Sequence, residues 1–192
     1  MASTFPTSLD SFTNPTAASL LTSPSHSLSH SDLNDAVEAL ETKVAIGNTV
    51  LGNYIAYTPS FTAGLTIGDG TVTGAYCRVN NFVHVWGRIV FGSTTAVTGA
   101  VNLTVPVSID ATVAGTFLGT YIGQIGIRDF DGGTSYSGVV QTLGTAGFPT
   151  RVALQVLDSS GTYLTGAALS ATVPMTWAVS DTLWWNMYYE AG

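Results

Sequence analysis

One stretch of this chain, residues 29–46, carries convincing helical periodicity, and the chain beyond Gly47 is written in strand-length runs punctuated by Gly, Pro, Asp and Asn. That change of character constrains the fold. With no helix to cover a sheet, the strands of residues 48–192 must pack on one another. Strands are expected at 54–58, 71–79, 82–91, 100–105, 117–129, 135–141, 150–157, 170–178 and 182–190. Asp69-Gly70 and Asp131-Gly132-Gly133 are turn signals, and Asn80-Asn81 reads as a two-residue hairpin loop. Roughly eight or nine short strands without intervening helices predict a mainly β fold, an antiparallel β-sandwich of jelly-roll-like form.

The helix has Leu33, Val37, Leu40 and Val44 at spacings of 4, 3 and 4. With Val at a and Leu at d, these four form an oligomer seam. Ser29 with Asp32, or Asp32 with Asp35, is the expected start cap, and Gly47 the stop. Two heptads do not hold together alone, so the head must supply most of the association. The a/d choice by itself points to two strands. Upstream, Pro6, Pro15 and Pro24 are spread through a Ser/Thr background that opposes regular helix. Phe5, Leu9, Phe12, Leu20 and Leu21 stand in it as isolated apolar pegs. A purely solvating tail would carry more charge, so residues 1–28 are read as an arm that orders by docking those pegs onto a partner. The expected organisation is arm (1–28), short coiled-coil helix (29–47) and β head (48–192).

Composition supports assembly. The chain has 192 residues, 45% hydrophobic, with a charged fraction of 9% where about 25% is ordinary. Mean hydropathy is +0.33. A Ser/Thr/Gly/Asn surface accounts for part of this; the rest is expected to be surface buried between subunits. Net charge is −7, and the five basic residues Lys43, Arg78, Arg88, Arg128 and Arg151 are scattered. No phosphate-tracking patch forms from them, so nucleic acid is not an expected partner. Cys77 is the single cysteine, which rules out an internal disulfide framework. The first 25 residues lack a basic segment followed by an apolar one, and no apolar run reaches the ~18 residues of a helical span. Synthesis and assembly in a cytoplasm, without membrane insertion, are therefore expected.

Alternation within two strands is more specific. In 82–91, Val83, Val85, Ile89 and Phe91 share one face, while Phe82, His84, Trp86, Arg88 and Val90 share the other. In 183–190, Leu183, Trp185, Met187 and Tyr189 oppose Trp184, Asn186, Tyr188 and Glu190. A sandwich strand ordinarily buries one face. Apolar character on both predicts that the face with His84, Trp86 and Arg88 is an intersubunit face.

No residue is assigned to catalysis, metal or cofactor. His26 and His30, four apart, would extend the seam as d and a if the helix began early, and could then present rings of imidazole to an ion. The favoured reading places His26 in the arm and His30 in the first turn, both hydrogen-bonded. Asp129 and Asp131 could be paired carboxylates, but beside Gly132-Gly133 they read as a turn. His84 has no Ser or Cys partner at a motif spacing, and no P-loop, nucleophile-elbow or dinucleotide fingerprint occurs. Of the aromatic residues, Trp86, Trp177, Trp184 and Trp185 read mainly as core. Tyr136 and Tyr163, read as loop positions, are the candidate glycan contacts.

Three segments carry a resemblance. FPTSLDSFTNPTAASLLTSPSHSLSHSDLNDAVEALETKVAIG contains the pattern H-x-x-x-H-x-x-x-N-D-A-x-x-A-L-E at His26, His30, Asn34, Asp35, Ala36, Ala39, Leu40 and Glu41. The others are YTPSFTAGLTIGDGTVTGAYCRVNNFVHVWGRIVFGSTT and the ending MTWAVSDTLWWNMYYEAG, with W-x-x-x-D-x-L and a terminal Tyr-Glu. Together they cover over half the chain. It resembles small virion proteins of tailed bacteriophages, especially those infecting actinobacteria. The resemblance implies a non-enzymatic trimer located in the virion. Its arm would dock on other virion proteins, and its β-sandwich head would project toward host cell-surface glycan. A small fibre or minor tail protein is the leading expectation, with a capsid-bound head fibre or decoration protein as the alternative.

Overall fold

The computed structural model describes residues 26–44, 52–110, 119–143 and 150–192. Two units divide the chain, residues 1–53 and 54–192. The first contributes helix α1, His26–Val44. It begins three residues before the expected start, so Ser29, Asp32 and Asp35 lie inside it rather than at its cap, and no acid occupies its first turn. His26 is thus a helical residue and not part of an arm. Leu33, Val37 and Leu40 are exposed along one stripe, and Val44 closes the helix. The pegs Phe5, Leu9, Phe12, Leu20 and Leu21 and the stop signal Gly47 lie outside the described residues.

The second unit is mainly β, as expected. Its strands are β1 (Ile55–Ala56), β2 (Phe61–Thr66), β3 (Thr71–Val79), β4 (Phe82–Val90), β5 (Ala96–Thr104), β6 (Tyr121–Arg128), β7 (Ser135–Thr142), β8 (Arg151–Asp158), β9 (Thr165–Ala168) and β10 (Thr182–Glu190). Antiparallel ladders join them in the order β1-β3-β4-β10-β6-β7-β8-β5-β2, with β9 on β8 beside β5. The ladders thus draw one continuous sheet. It curls back on itself. Phe61 on β2, the last strand of the path, meets Trp185 on β10 edge to face at 5.8 Å. Five strand spacings separate β2 from β10 along the path. At about 4.8 Å each they would lie about 24 Å apart in a flat sheet. The curl encloses one apolar core that includes Val83, Val85, Ile89, Ile125, Val140, Leu154, Leu183, Trp185 and Met187. Gly87 makes room for the Trp185 indole, since a Cβ there would stand 2.3 Å from it.

Two stretches differ from the sequence expectation. Residues 170–178 are not a strand; the segment makes a single bridge, Ser170 to Val173, and Pro174 has no N–H to give a ladder. Met175 is buried there, as is Leu169 just before it, and Trp177 stacks on Phe91 at 4.7 Å while its Nε1 donates to the Ser170 carbonyl at 2.8 Å. Strand β2 escaped the pattern because register shifts break its alternation and Gly64, at φ +74°, turns its backbone.

Two aspartates fasten the loops. Asp181 is fully buried, and its carboxylate accepts the Phe130 and Ala178 amides at 2.8 and 2.7 Å. Asp69 accepts four bonds, from the backbone and hydroxyl groups of Ser93 and Thr94. The Thr94 amide leads in holding this carboxyl well below the usual carboxylate range, followed by the Ser93 and Thr94 hydroxyls. A lowered folded value means that the stabilisation is present above the unfolded carboxylate value and is lost as pH falls through the folded one. Asp69→Asn is therefore expected to melt below the unaltered protein at pH 7, with the gap closing as pH falls below about 4. Thermal melts of both proteins between pH 7 and pH 2 measure this; a gap that stays constant would contradict it.

Candidate functional site

The outer face of β4 and β10 collects four exposed aromatic side chains. Antiparallel register sets His84 opposite Tyr188, Trp86 opposite Asn186 and Arg88 opposite Trp184. Alternation sends Val83, Val85 and Ile89 inward with Leu183, Trp185, Met187 and Tyr189. Phe82, Trp86, Trp184 and Tyr188 keep 52, 40, 40 and 47% of their surface in solvent. Since both strands lie inside the sheet, these rings form a contiguous patch rather than isolated exposures.

Ring stacking orders this patch. His84 and Tyr188 stack at 4.2 Å and 10°, and Phe82 continues the stack on Tyr188 at 5.8 Å. Asn186 Oδ1 lies 2.9 Å from His84 Nε2. With that oxygen accepting, Nε2 carries the hydrogen, and Nδ1 accepts from the Tyr54 hydroxyl. Desolvation raises the Tyr54 phenol above its ordinary value, with Cys77 and Tyr188 adding to the shift. Further along, Trp184 lies over Gly126, where a Cβ would stand 2.1 Å from the indole. Beside Tyr188 and Asn186, Gly123 and Gln124 complete an open depression of about 360 Å³. Arg88 and Glu190 lie near opposite ends of the face; Glu190 is opposite Phe82, which is about 20 Å along β4 from Arg88.

Cys77 stands directly across from His84 on β3, a juxtaposition the sequence spacing did not show. Both imidazole nitrogens are already engaged, by Tyr54 and Asn186, so neither has a free lone pair for the thiol in this arrangement. Asp129 accepts the Gly132 amide at 2.6 Å and so shapes the β6–β7 turn. Among the described residues no group of three or more His, Cys, Asp and Glu side chains is placed to hold a metal ion. The face presents flat π-surfaces with amide and imidazole groups between them.

The sequence-predicted residues separate accordingly. His84, Trp86 and Arg88 do share one outer face. Tyr163 is exposed in the loop before β9. Tyr136 corrects the expectation: it lies on β7 and packs against the core, so it is not a loop contact. The sequence reading did not assign Tyr54, Gln124, Trp184, Asn186 or Tyr188 to the site, although outward alternation in β10 marked three of them. No family model, curated protein or solved structure matches this chain.

Proposed function

We propose that this protein is a non-catalytic structural component of a bacteriophage virion, a trimeric small fibre or minor tail protein. Its N-terminal arm docks on the particle, α1 joins copies through Leu33, Val37, Leu40 and Val44, and a sandwich-like head projects toward the host envelope. The observation that carries the reading is the bare aromatic face of β4 and β10. Four large rings side by side on a sheet already closed on its other face are what an intersubunit contact leaves when one copy is viewed alone. Arg88 and Glu190 near opposite ends of that face suit a neighbour set head to tail. Tyr163, on an exposed loop, is the remaining candidate for a glycan contact. Resemblance of the arm and of the ending MTWAVSDTLWWNMYYEAG to virion proteins supplies the setting.

Immunogold labelling of intact particles with antibody raised against residues 50–192 tests the placement. Label at the tail or its tip is the expected result; label spread over the head would make this a capsid-bound decoration, and unlabelled particles would end the virion reading. A chain lacking residues 1–25 is expected to fold and self-associate but to be missing from purified particles, as measured by immunoblot. Normal incorporation of that truncation would overturn the docking arm.

A further inference from the structure

We propose that His26 and His30 form a bidentate site for a divalent transition-metal ion, with Cu2+ and Ni2+ preferred. The two residues are one helical turn apart on α1, and their Nε2 atoms are 3.1 Å apart with the rings edge to face. Imidazole nitrogens bind such ions at about 2.0–2.1 Å. At those bond lengths a 3.1 Å separation subtends about 95–102° at a shared ion, between the square-planar or octahedral right angle and the tetrahedral angle, so both nitrogens can reach one ion and the preference among metals rests on intrinsic affinity. Cu2+ and Ni2+ stand above most first-row ions in intrinsic affinity for nitrogen ligands.

Both side chains are exposed among the described residues, which leaves the rings free of those residues to turn the two lone pairs onto one ion. In the absence of metal the pair shares one hydrogen, one nitrogen donating and the other accepting. An ion replaces that hydrogen and clamps the first turn of the helix. Ligation requires unprotonated imidazole, so acid releases the ion. His26 and His30 continue the exposed stripe of Leu33, Val37 and Leu40 at spacings of 4, 3, 4 and 3. The remaining coordination positions are filled by water, or by the same pair on another copy. The site itself needs only one chain and stands apart from the trimer reading.

The test is titration of the full chain, made without a polyhistidine tag, with Cu2+ or Ni2+ alone. Calorimetry gives affinity and stoichiometry, and electron paramagnetic resonance counts nitrogens on bound Cu2+. Saturable binding is expected, with two imidazole nitrogens on the copper. His26→Ala or His30→Ala should weaken it at least tenfold and leave one such nitrogen, and the double variant should remove it. His84 remains in every variant as an internal control. One ion per chain indicates completion by water, and fewer indicates sharing between copies; both support the site. Equal binding by the double variant, or no saturable binding to the unaltered chain, overturns it. Helical circular dichroism of the variants without metal shows that α1 is intact.

Discussion

Replacing Asp181 by alanine is expected to cost this protein about 2–6 kcal/mol and to lower its melting temperature by about 10 °C. The carboxylate is fully buried and accepts the Phe130 and Ala178 amides. Removing it takes the charged acceptor from two part-buried amide bonds, at about 1–3 kcal/mol each. For a protein of this size each kcal/mol moves the midpoint by about 2–4 °C. The backbone at this position, which the substitution leaves in place, holds a further segment. The Asp181 carbonyl accepts the Phe91 amide at 2.9 Å, and the Ser180 amide donates back to the Phe91 carbonyl at 2.9 Å. One residue therefore ties the end of β4, the β6–β7 turn and the start of β10. Asp181→Asn retains the shape and one acceptor oxygen but sets an amide N–H against a backbone donor, so about half the loss is expected. Differential scanning calorimetry of the three proteins decides it. A shift under about 3 °C for Asp181→Ala would mean that the loops carry their own order.

Asp181 also shows what the sequence could and could not make legible. It stands in the W-x-x-x-D-x-L pattern near the end of the sequence, and each named position has a structural role. Trp177 stacks on Phe91, Asp181 ties three segments and Leu183 is core. The pattern is visible in the sequence, but its partners are not, because Phe91 and Phe130 are distant along the chain. Local chemistry reads more fully. Strands β3 and β10 and the two-residue turn at Asn80-Asn81 follow from alternation and turn residues alone, and Asn80 does adopt a positive φ of 54°. Where alternation fails the reading fails too. Register shifts hide β2, and β9 has only four residues, Thr165–Ala168, without a large apolar side chain. The segment 170–178 is apolar enough to resemble a strand, yet it is an irregular loop that buries Met175 and half-buries Val173 and Trp177.

The candidate site divides in the same way. Alternation alone places His84, Trp86 and Arg88 on one face. It could not supply Tyr54 and Asn186, the hydrogen-bond partners of His84, 30 and 102 residues away. Register across two ladders brings them together, and register depends on every turn between.

A double replacement on that face, Trp86→Glu with Trp184→Glu, is expected to convert the proposed trimer to monomer while leaving the head folded. Both indoles point outward at 40% exposure, so neither change opens a cavity in the core. Buried interface tryptophans commonly contribute about 2 kcal/mol or more each. Losing two therefore removes about 4 kcal/mol per contact, a weakening of about a thousandfold. Two added carboxylates deepen it by bringing like charges together across the contact. Trp184 leans on Gly126, so a small loss of head stability accompanies the change, about 1 kcal/mol or less on the scale of exposed substitutions. Sedimentation velocity at micromolar concentration reads the assembly, and thermal melting reads the fold. Tyr163→Ala, on an exposed loop away from both strands, should leave the assembly unchanged. A double variant that stays trimeric would free the aromatic face from subunit contact. The rings of Trp86, Trp184 and Tyr188 would then be open to an external partner, and the seam of α1 would have to hold the copies together. A short helix with a bare stripe is a poor candidate for that alone.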